Sequence, residues 1–467
     1  MSDTATHAST RDVRTVPAGA DAFWRNDDWW AVAIGLGVIA VAAILFALGS
    51  SLAWLAVIPA KWTTPDQVAG HFAANWTRYL AQFALWLVVV AAALSMLGQR
   101  LRDTVPAFVF LYVLSVAIFA LGQWASAIRY NLEPPLVALL VGLAIANLRL
   151  LPRGLDAGFR VEFYIKLGVV LLGATLPLTL IAWAGPVALL QASVVSIVTF
   201  LAIFFAARAL GIDPRFAAVL SVGGAVCGVS AAIAIAAAVG ARRQDAAVVI
   251  SIVIGWAIVM IFALPFLAGL LALPAGVGGA WIGTSEFADA AGLAAAQAYG
   301  DIAAKAPGAH AGAVDQSVAA FTLMKVVGRD VWIGIWAMVL SIVAATRWQA
   351  TGVTSRVGAG DIWRRLPKFV IGFLLASIFI TLVAQWVGHA RFGRAATTDL
   401  VTPIKNLRTW AFAFGFLSIG LTTRVRDLTR VGVRPLLAFS SGVVVNVALG
   451  FVLSVLVFGS YWAHLGQ

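Results

Sequence analysis

Charged side chains are scarce in this chain, 11% of 467 residues against 62% hydrophobic ones. A soluble domain of that length has too little interior to hide so much apolar surface. Cysteine occurs once, at Cys227, which excludes an internal disulfide. Five scattered histidines and one thiol give no zinc-site spacing, and H-E-x-x-H is missing. No G-x-x-x-x-G-K-[ST] loop occurs, which excludes a nucleotide-driven pump. Short alternating segments are missing too, which excludes a transmembrane barrel. Neither a metal nor a cofactor is implied by what remains.

What is present is a series of apolar runs near twenty residues long, from about Trp29 to Phe458. Such runs match helices crossing a hydrocarbon core of about 30 Å. The fold class expected is an all-α polytopic membrane protein with about 11 spanning helices. The spans fall at 30–58, 79–98, 105–127, 134–150, 164–184, 187–209, 245–271, 316–345, 367–388, 403–423 and 435–458. The net charge of +12 is no sign of nucleic acid, because Lys and Arg sit mainly in connections, as in cytoplasmic loops. Arg347, Arg356, Arg364, Arg365 and Lys368 mark 346–368 as one such loop, and Thr422–Arg434 reads as another. Residues 59–78 carry Trp, His and charge and read as interfacial. Three parts are expected: a polar cytoplasmic tail at 1–28, a three-helix membrane extension at 29–130 and a core at 131–467.

Two segments, 216–240 and 280–304, do not read as plain spans. The first holds "VGGAVCGVS", Val222 to Ser230, and "VGGAWIGTS", Val277 to Ser285, runs into the second. If both dip in and return, Lys and Arg collect on the side of the N-terminus slightly more than if both cross, so the positive-inside rule mildly favours re-entry and leaves crossing open. One span, 245–271, then separates them, so they enter from opposite faces as an inverted pair. Gly168, Gly173 and Gly185 echo the spacing of Gly415, Gly420 and Gly432. In a chain with 43 glycines chance accounts for that.

Unwound backbone in lipid is tolerated only against protein or water. Glycine permits the turn and a close approach to the backbone. A helix restarting after the break offers free N–H groups at the positive end of its dipole, a setting for an anion. Cys227, Gly228, Ser230, Gly283, Thr284 and Ser285 are therefore the substrate-binding candidates. The competing reading is close helix packing by small residues, with Cys227 as a small buried residue. Lys325 and Arg329, four apart inside the run 316–345, share a helix face and are expected to add positive charge to the site. The alternative is a structural ion pair with Asp289, Glu286 or Asp315. Asp330 follows Arg329 directly and so points in another direction. Glu286 and Asp289 are the candidates for a titrating, coupling group. Lys405 and Arg408 could line an entrance, and Gln191 and Asn446 read as interhelical hydrogen-bond partners.

The stretches "GAVCGVSAAIAIAA", "GAWIGTSEFADAAGLAAA" and "LMKVVGRDVW", with "LGVVLLGATLPL" upstream, resemble the YeiH-like family of conserved membrane proteins over roughly 130–460. Members are labelled sulfate exporters. The resemblance implies a secondary transporter with inverted symmetry that exports sulfate or a related small anion, oxyanion or sulfonate. Many relatives place His where this chain has Glu286, so the local charge differs here. The alternatives are a cation/proton exchanger using Glu286 or Asp289, and a membrane-embedded sensor or enzyme, for which catalytic motifs are missing. The expected setting is the inner membrane, with a cytoplasmic N-terminus and lipid and a small anion as partners; a homo-oligomer is compatible with this.

Overall fold

The computed structural model describes residues 26–129, 134–151, 154–175, 178–306, 312–348, 368–387, 398–424 and 432–465. Most of the 1–28 tail, the basic stretch 349–367 and residues 425–431 lie outside the described residues.

Every regular element among the described residues is helical. The first three helices are α1 (Asp27–Ala47), α2 (Pro65–Met96) and α3 (Leu101–Gly122), followed by the short α4 (Ala125–Arg129). Next come α5 (Pro134–Asn147), α6 (Val161–Gly173) and α7 (Leu178–Ala209). The centre of the chain forms α8 (Pro214–Ala225), α9 (Val229–Val239), α10 (Arg243–Leu270), α11 (Ala275–Ser285) and α12 (Asp289–Ala303). Then follow α13 (Ala313–Thr322), α14 (Trp332–Arg347), α15 (Lys368–Val387), α16 (Thr402–Thr422), α17 (Val433–Phe451) and α18 (Gly459–Ala463). Seven helical stretches among the described residues are long and apolar enough to cross a membrane, with α13 and α14 counted as one; two shorter apolar helices lie in α5 and α15. The protein is a helical polytopic membrane protein.

Two expected boundaries shift. The segment 59–78 is mostly helix, because Pro65 at the first helical position and the Gln67 side chain, which accepts from the Thr63 amide at 2.8 Å, start α2 early. The span expected at 164–184 stops at Gly173, and α7 begins afresh at Leu178. The two glycine triplets belong partly to one contact. A Cβ at Gly415 would lie 2.8 Å from Ile165 Cγ1, and Gly168 faces the Phe412 ring, so α6 and α16 pack closely there. The early helices dock on the same wall: the Tyr112 ring stacks on Trp410 at 5.1 Å, and the Trp410 indole donates to the Val57 carbonyl at 2.8 Å.

The two glycine-bearing segments are hairpins of half-helices. Asp213 caps α8 by accepting from the Arg215 amide at 2.9 Å, with Pro214 at the first position. Gly240, at φ +65°, ends α9. The start of α8 (Asp213, Pro214, Arg215) and the exit of α9 (Gly240, Ala241, Arg242) line one cavity of about 610 Å³. The chain therefore enters and leaves on one side. In the second pair the Tyr299 hydroxyl, late in α12, donates to the Leu273 carbonyl just before α11, so this pair also returns to its own side. Between them α10, 28 residues and about 42 Å long, spans from one mouth to the other. Its start contributes Asp245 to the first cavity, and a Cβ at Gly269 near its end would lie 3.2 Å from Ile302. The hairpins thus open on opposite sides, as an inverted pair.

Candidate functional site

The first break covers Val226 to Gly228. Val226 leaves helical geometry at φ −125°, ψ −108°, and Gly228 takes φ +69°, a region closed to most side chains. A Cβ on Gly228 would lie 2.6 Å from Val253 Cγ1 and 2.9 Å from the Phe287 carbonyl oxygen. Phe287 is in the second break, so the two breaks touch.

The second break covers Glu286 to Ala288, with Glu286 (ψ 139°) and Ala288 (ψ 130°) extended. The Glu286 carboxylate serves its own loop: Oε1 accepts from the amides of Phe287 (2.9 Å) and Ala288 (3.2 Å). The repeated glycine motif does not contain this break. Gly278, Gly279 and Gly283 are helical, and a Cβ on Gly283 would lie 2.7 Å from Met324 Cβ. In the second motif the glycines let helices approach, and the chain unwinds only after Ser285.

Lys325 and Arg329 lie on a π-helical turn, Leu323–Arg329, and both are wholly buried. Lys325 donates to the carbonyls of Val226 (2.7 Å), Glu286 (2.8 Å) and Phe287 (3.2 Å). Arg329 donates to Ala225 (3.3 Å), Gly224 (3.1 Å), Thr284 (2.5 Å) and Glu286 (3.1 Å). All of these but Phe287, which lies in the break itself, are carbonyls that the C-terminal ends of α8 and α11 leave without helical partners. Asn446 completes the set by donating to Ser285 at 2.9 Å. Each cation costs about 2.5–3.5 kcal/mol to place at the bilayer centre. The negative ends of two half-helices and seven charge-assisted hydrogen bonds offset that cost.

The restarting ends remain open. The first helical bond of α9 runs from the Ala232 amide to Gly228, and that of α12 from the Gly292 amide to Ala288. The amides of Val229, Ser230 and Ala231, and those of Asp289, Ala290 and Ala291, therefore have no helical partner. The two restarts are neighbours: the Cys227 sulfur, an Asp289 oxygen and an Asp330 oxygen all lie within 4.8 Å of one another. Asp289 is the first residue of α12, where the dipole favours a negative charge, and its Oδ1 is 3.7 Å from the Lys325 ammonium. Asp330 is 1% exposed, and neither of its oxygens has a hydrogen-bond partner among the described residues.

The structure therefore gathers Cys227, Gly228, Glu286, Asp289, Lys325 and Arg329 at one crossing, with half-buried Ser230 in the first turn of α9. Thr284 and Ser285 are held slightly apart. The Thr284 hydroxyl donates to the Trp281 carbonyl at 2.8 Å, and a Cβ on Gly450 would meet Ser285 Oγ at 2.9 Å, so both side chains face α17. The sequence does not single out Asp330 for the site; its signal there is a carboxylate inside an apolar run. Asn446 and Gln191 do bridge helices: Gln191 donates to Ser454 at 2.6 Å, and Asn446 accepts from Thr199 at 3.2 Å. Lys405 and Arg408 both pair with Asp315.

The family model described as conserved hypothetical protein 698 matches residues 106–439. A UPF0324 membrane protein of Rhodopirellula baltica is 31% identical over 409 residues, covering 86% of this chain and 71% of that protein. One from Nitrosomonas europaea is 28% identical over 465 residues, 91% of this chain and 94% of its own. One from Nitratidesulfovibrio vulgaris is 28% identical over 387 residues, 80% of this chain but 64% of that protein. No solved structure is a significant match.

Proposed function

The chain belongs to the conserved hypothetical protein 698 family of membrane proteins, and from that premise we propose that it is a secondary transporter of a small anion. It moves an oxyanion or sulfonate, sulfate among them, out across the inner membrane by alternating access, with its N-terminus in the cytoplasm. The observation that carries this reading is the pair of inverted half-helix hairpins crossing at Gly228 and Phe287, with two restarting N-termini side by side. Broken helices of this kind place substrate sites near the bilayer midplane in secondary transporters.

In this mechanism the anion sits on the open amides of Val229–Ala231 and Asp289–Ala291, with the Ser230 hydroxyl beside them. Cys227 and Gly228 keep the approach to the backbone narrow. Lys325 and Arg329 act through their field and by fixing the two C-terminal ends, since most of their donors are already held by carbonyls. Gly283, Thr284 and Ser285 support the site by packing α11 against its neighbours.

A second reading, a cation/proton exchanger, is favoured by one specific observation. Glu286 Oε2 is buried without a hydrogen-bond partner, and Asp289 Oδ1 has only the distant Lys325 ammonium at 3.7 Å, so both have room for a further positive charge. Reconstituted protein decides between the two. Vesicles loaded with unlabelled sulfate should take up radiolabelled sulfate by counterflow, and unlabelled sulfonates should compete. Folded protein that exchanges none of these anions, yet moves protons or sodium in their absence, would replace the first reading with the second.

A further inference from the structure

Asp330 lies outside everything proposed so far, and its surroundings raise a charge problem. Its two oxygens have no hydrogen-bond partner among the described residues, it is 1% exposed, and it faces Asp289 and Cys227 within 4.8 Å. Unpaired buried acceptors cost free energy, more so when charged. The charged groups at the crossing are Lys325 and Arg329 against Glu286, Asp289 and Asp330. Glu162 and Lys166 of α6 act on Asp289 from farther away; they pair with each other at 3.6 Å, and Lys166 also pairs with Asp28 at 2.8 Å. With all three carboxylates ionised, two cations would leave one negative charge uncompensated, so the crossing has to take up a further positive charge. The lysine ammonium is saturated by three carbonyls and reaches only Asp289, at 3.7 Å.

We propose that Asp330 and Asp289 together form the binding site for the coupling cation, taking one monovalent positive charge, a proton or a sodium ion. A divalent metal fits poorly. Zinc wants four close ligands and calcium six to eight oxygens; a sodium ion here would complete its shell with water or the anion's oxygens, whereas a proton needs a single carboxylate oxygen. Here one thiol and two carboxylates are on offer, and carbonyls that could complete a shell (Val226, Glu286 and Phe287) are held by Lys325. The site also explains how an anion enters a crossing that would carry a negative charge of its own with its acids ionised. The coupling cation cancels that charge, so cation and anion bind more tightly together than apart. The site borrows its role in coupling from the transporter reading, but cation binding can be measured without it.

The test uses the purified full-length chain in proteoliposomes, with radiolabelled sulfate as probe under a proton gradient, a sodium gradient or none. One gradient should raise uptake about tenfold or more. A trapped pH dye identifies the proton arm, and radiolabelled sodium the sodium arm. Asp330→Asn and Asp289→Asn should each remove the gradient-driven increment. Asp330→Glu, which keeps the charge, should retain cation dependence at a shifted concentration; this variant carries the test if the asparagine forms do not fold. Sulfate uptake indifferent to both gradients, or an increment intact in Asp330→Asn, overturns the site while leaving the transporter standing. If sulfate does not move at all, sodium binding and proton release are measured on protein in detergent. Values equal in wild type and Asp330→Asn then overturn the site on its own terms.

Discussion

The Lys325 ammonium donates to the Val226 carbonyl at 2.7 Å, across 99 residues of chain, while its other donors close the end of the opposing half-helix. One side chain thus ties two hairpins that open on opposite sides. Lys325→Met removes the charge and leaves the Val226 and Phe287 carbonyls without a donor, while Glu286 keeps Arg329. Each such loss costs about 1–3 kcal/mol, so the variant should melt well below wild type, by at least about 2 kcal/mol in stability. A melting curve in detergent that coincides with wild type would refute the clamp.

Gly228 is the other fixed point of the crossing. Gly228→Ala forces a side chain onto φ +69° and into Val253 and the Phe287 carbonyl. Substitution at a positive φ costs more than about 1 kcal/mol, and here the neighbour is backbone that cannot step aside. The expected result is reduced yield of monodisperse protein and a lower melting temperature, read by size exclusion and tryptophan fluorescence.

The topology is open to a direct check. In a Cys227→Ala background, Ala209→Cys and Arg242→Cys bracket the first hairpin, and Lys305→Cys follows the second. A membrane-impermeant maleimide should label Ala209→Cys and Arg242→Cys from the same side, and Lys305→Cys from the other. Labelling of Ala209→Cys and Arg242→Cys from opposite sides would mean that 216–240 crosses the membrane.

Asp315 holds two cations of unequal standing. Arg408 is 3% exposed and also donates to the Thr175 hydroxyl at 2.9 Å, whereas Lys405 is 43% exposed at its side chain. Lys405→Ala should change stability by less than about 1 kcal/mol, as exposed pairs do. Arg408→Ala should cost about 2 kcal/mol or more, because buried packing and a charge-assisted hydrogen bond go together. Denaturant titration of both variants separates them; equal effects would contradict the assigned burial.

Much of the candidate site was legible in the sequence, though not its internal logic. Cys227–Gly228 marked a true break because a glycine between apolar runs signals a turn that other residues resist. The echo at Val277–Ser285 misplaced the second break, since identical small residues serve packing as readily as unwinding. Lys325 and Arg329 stood out as charges in an apolar run. That they face carbonyls could not be read, because those carbonyls lie at or next to helix ends 38 to 105 residues away in the chain. From the sequence Asp330 reads as pointing elsewhere. It does diverge from Arg329 in what it meets: Arg329 reaches carbonyls, while Asp330 meets Asp289 and Cys227.

Composition and the length of the apolar runs determined the membrane, the helical class and most of the spans, since lipid admits few other ways to satisfy a backbone. The positive-inside bias already leaned toward re-entry. Only the tertiary structure decided where the chain unwinds, which charges meet backbone and which acids stay unpaired. Those outcomes depend on contacts between distant segments, and no local pattern of residues encodes a distance.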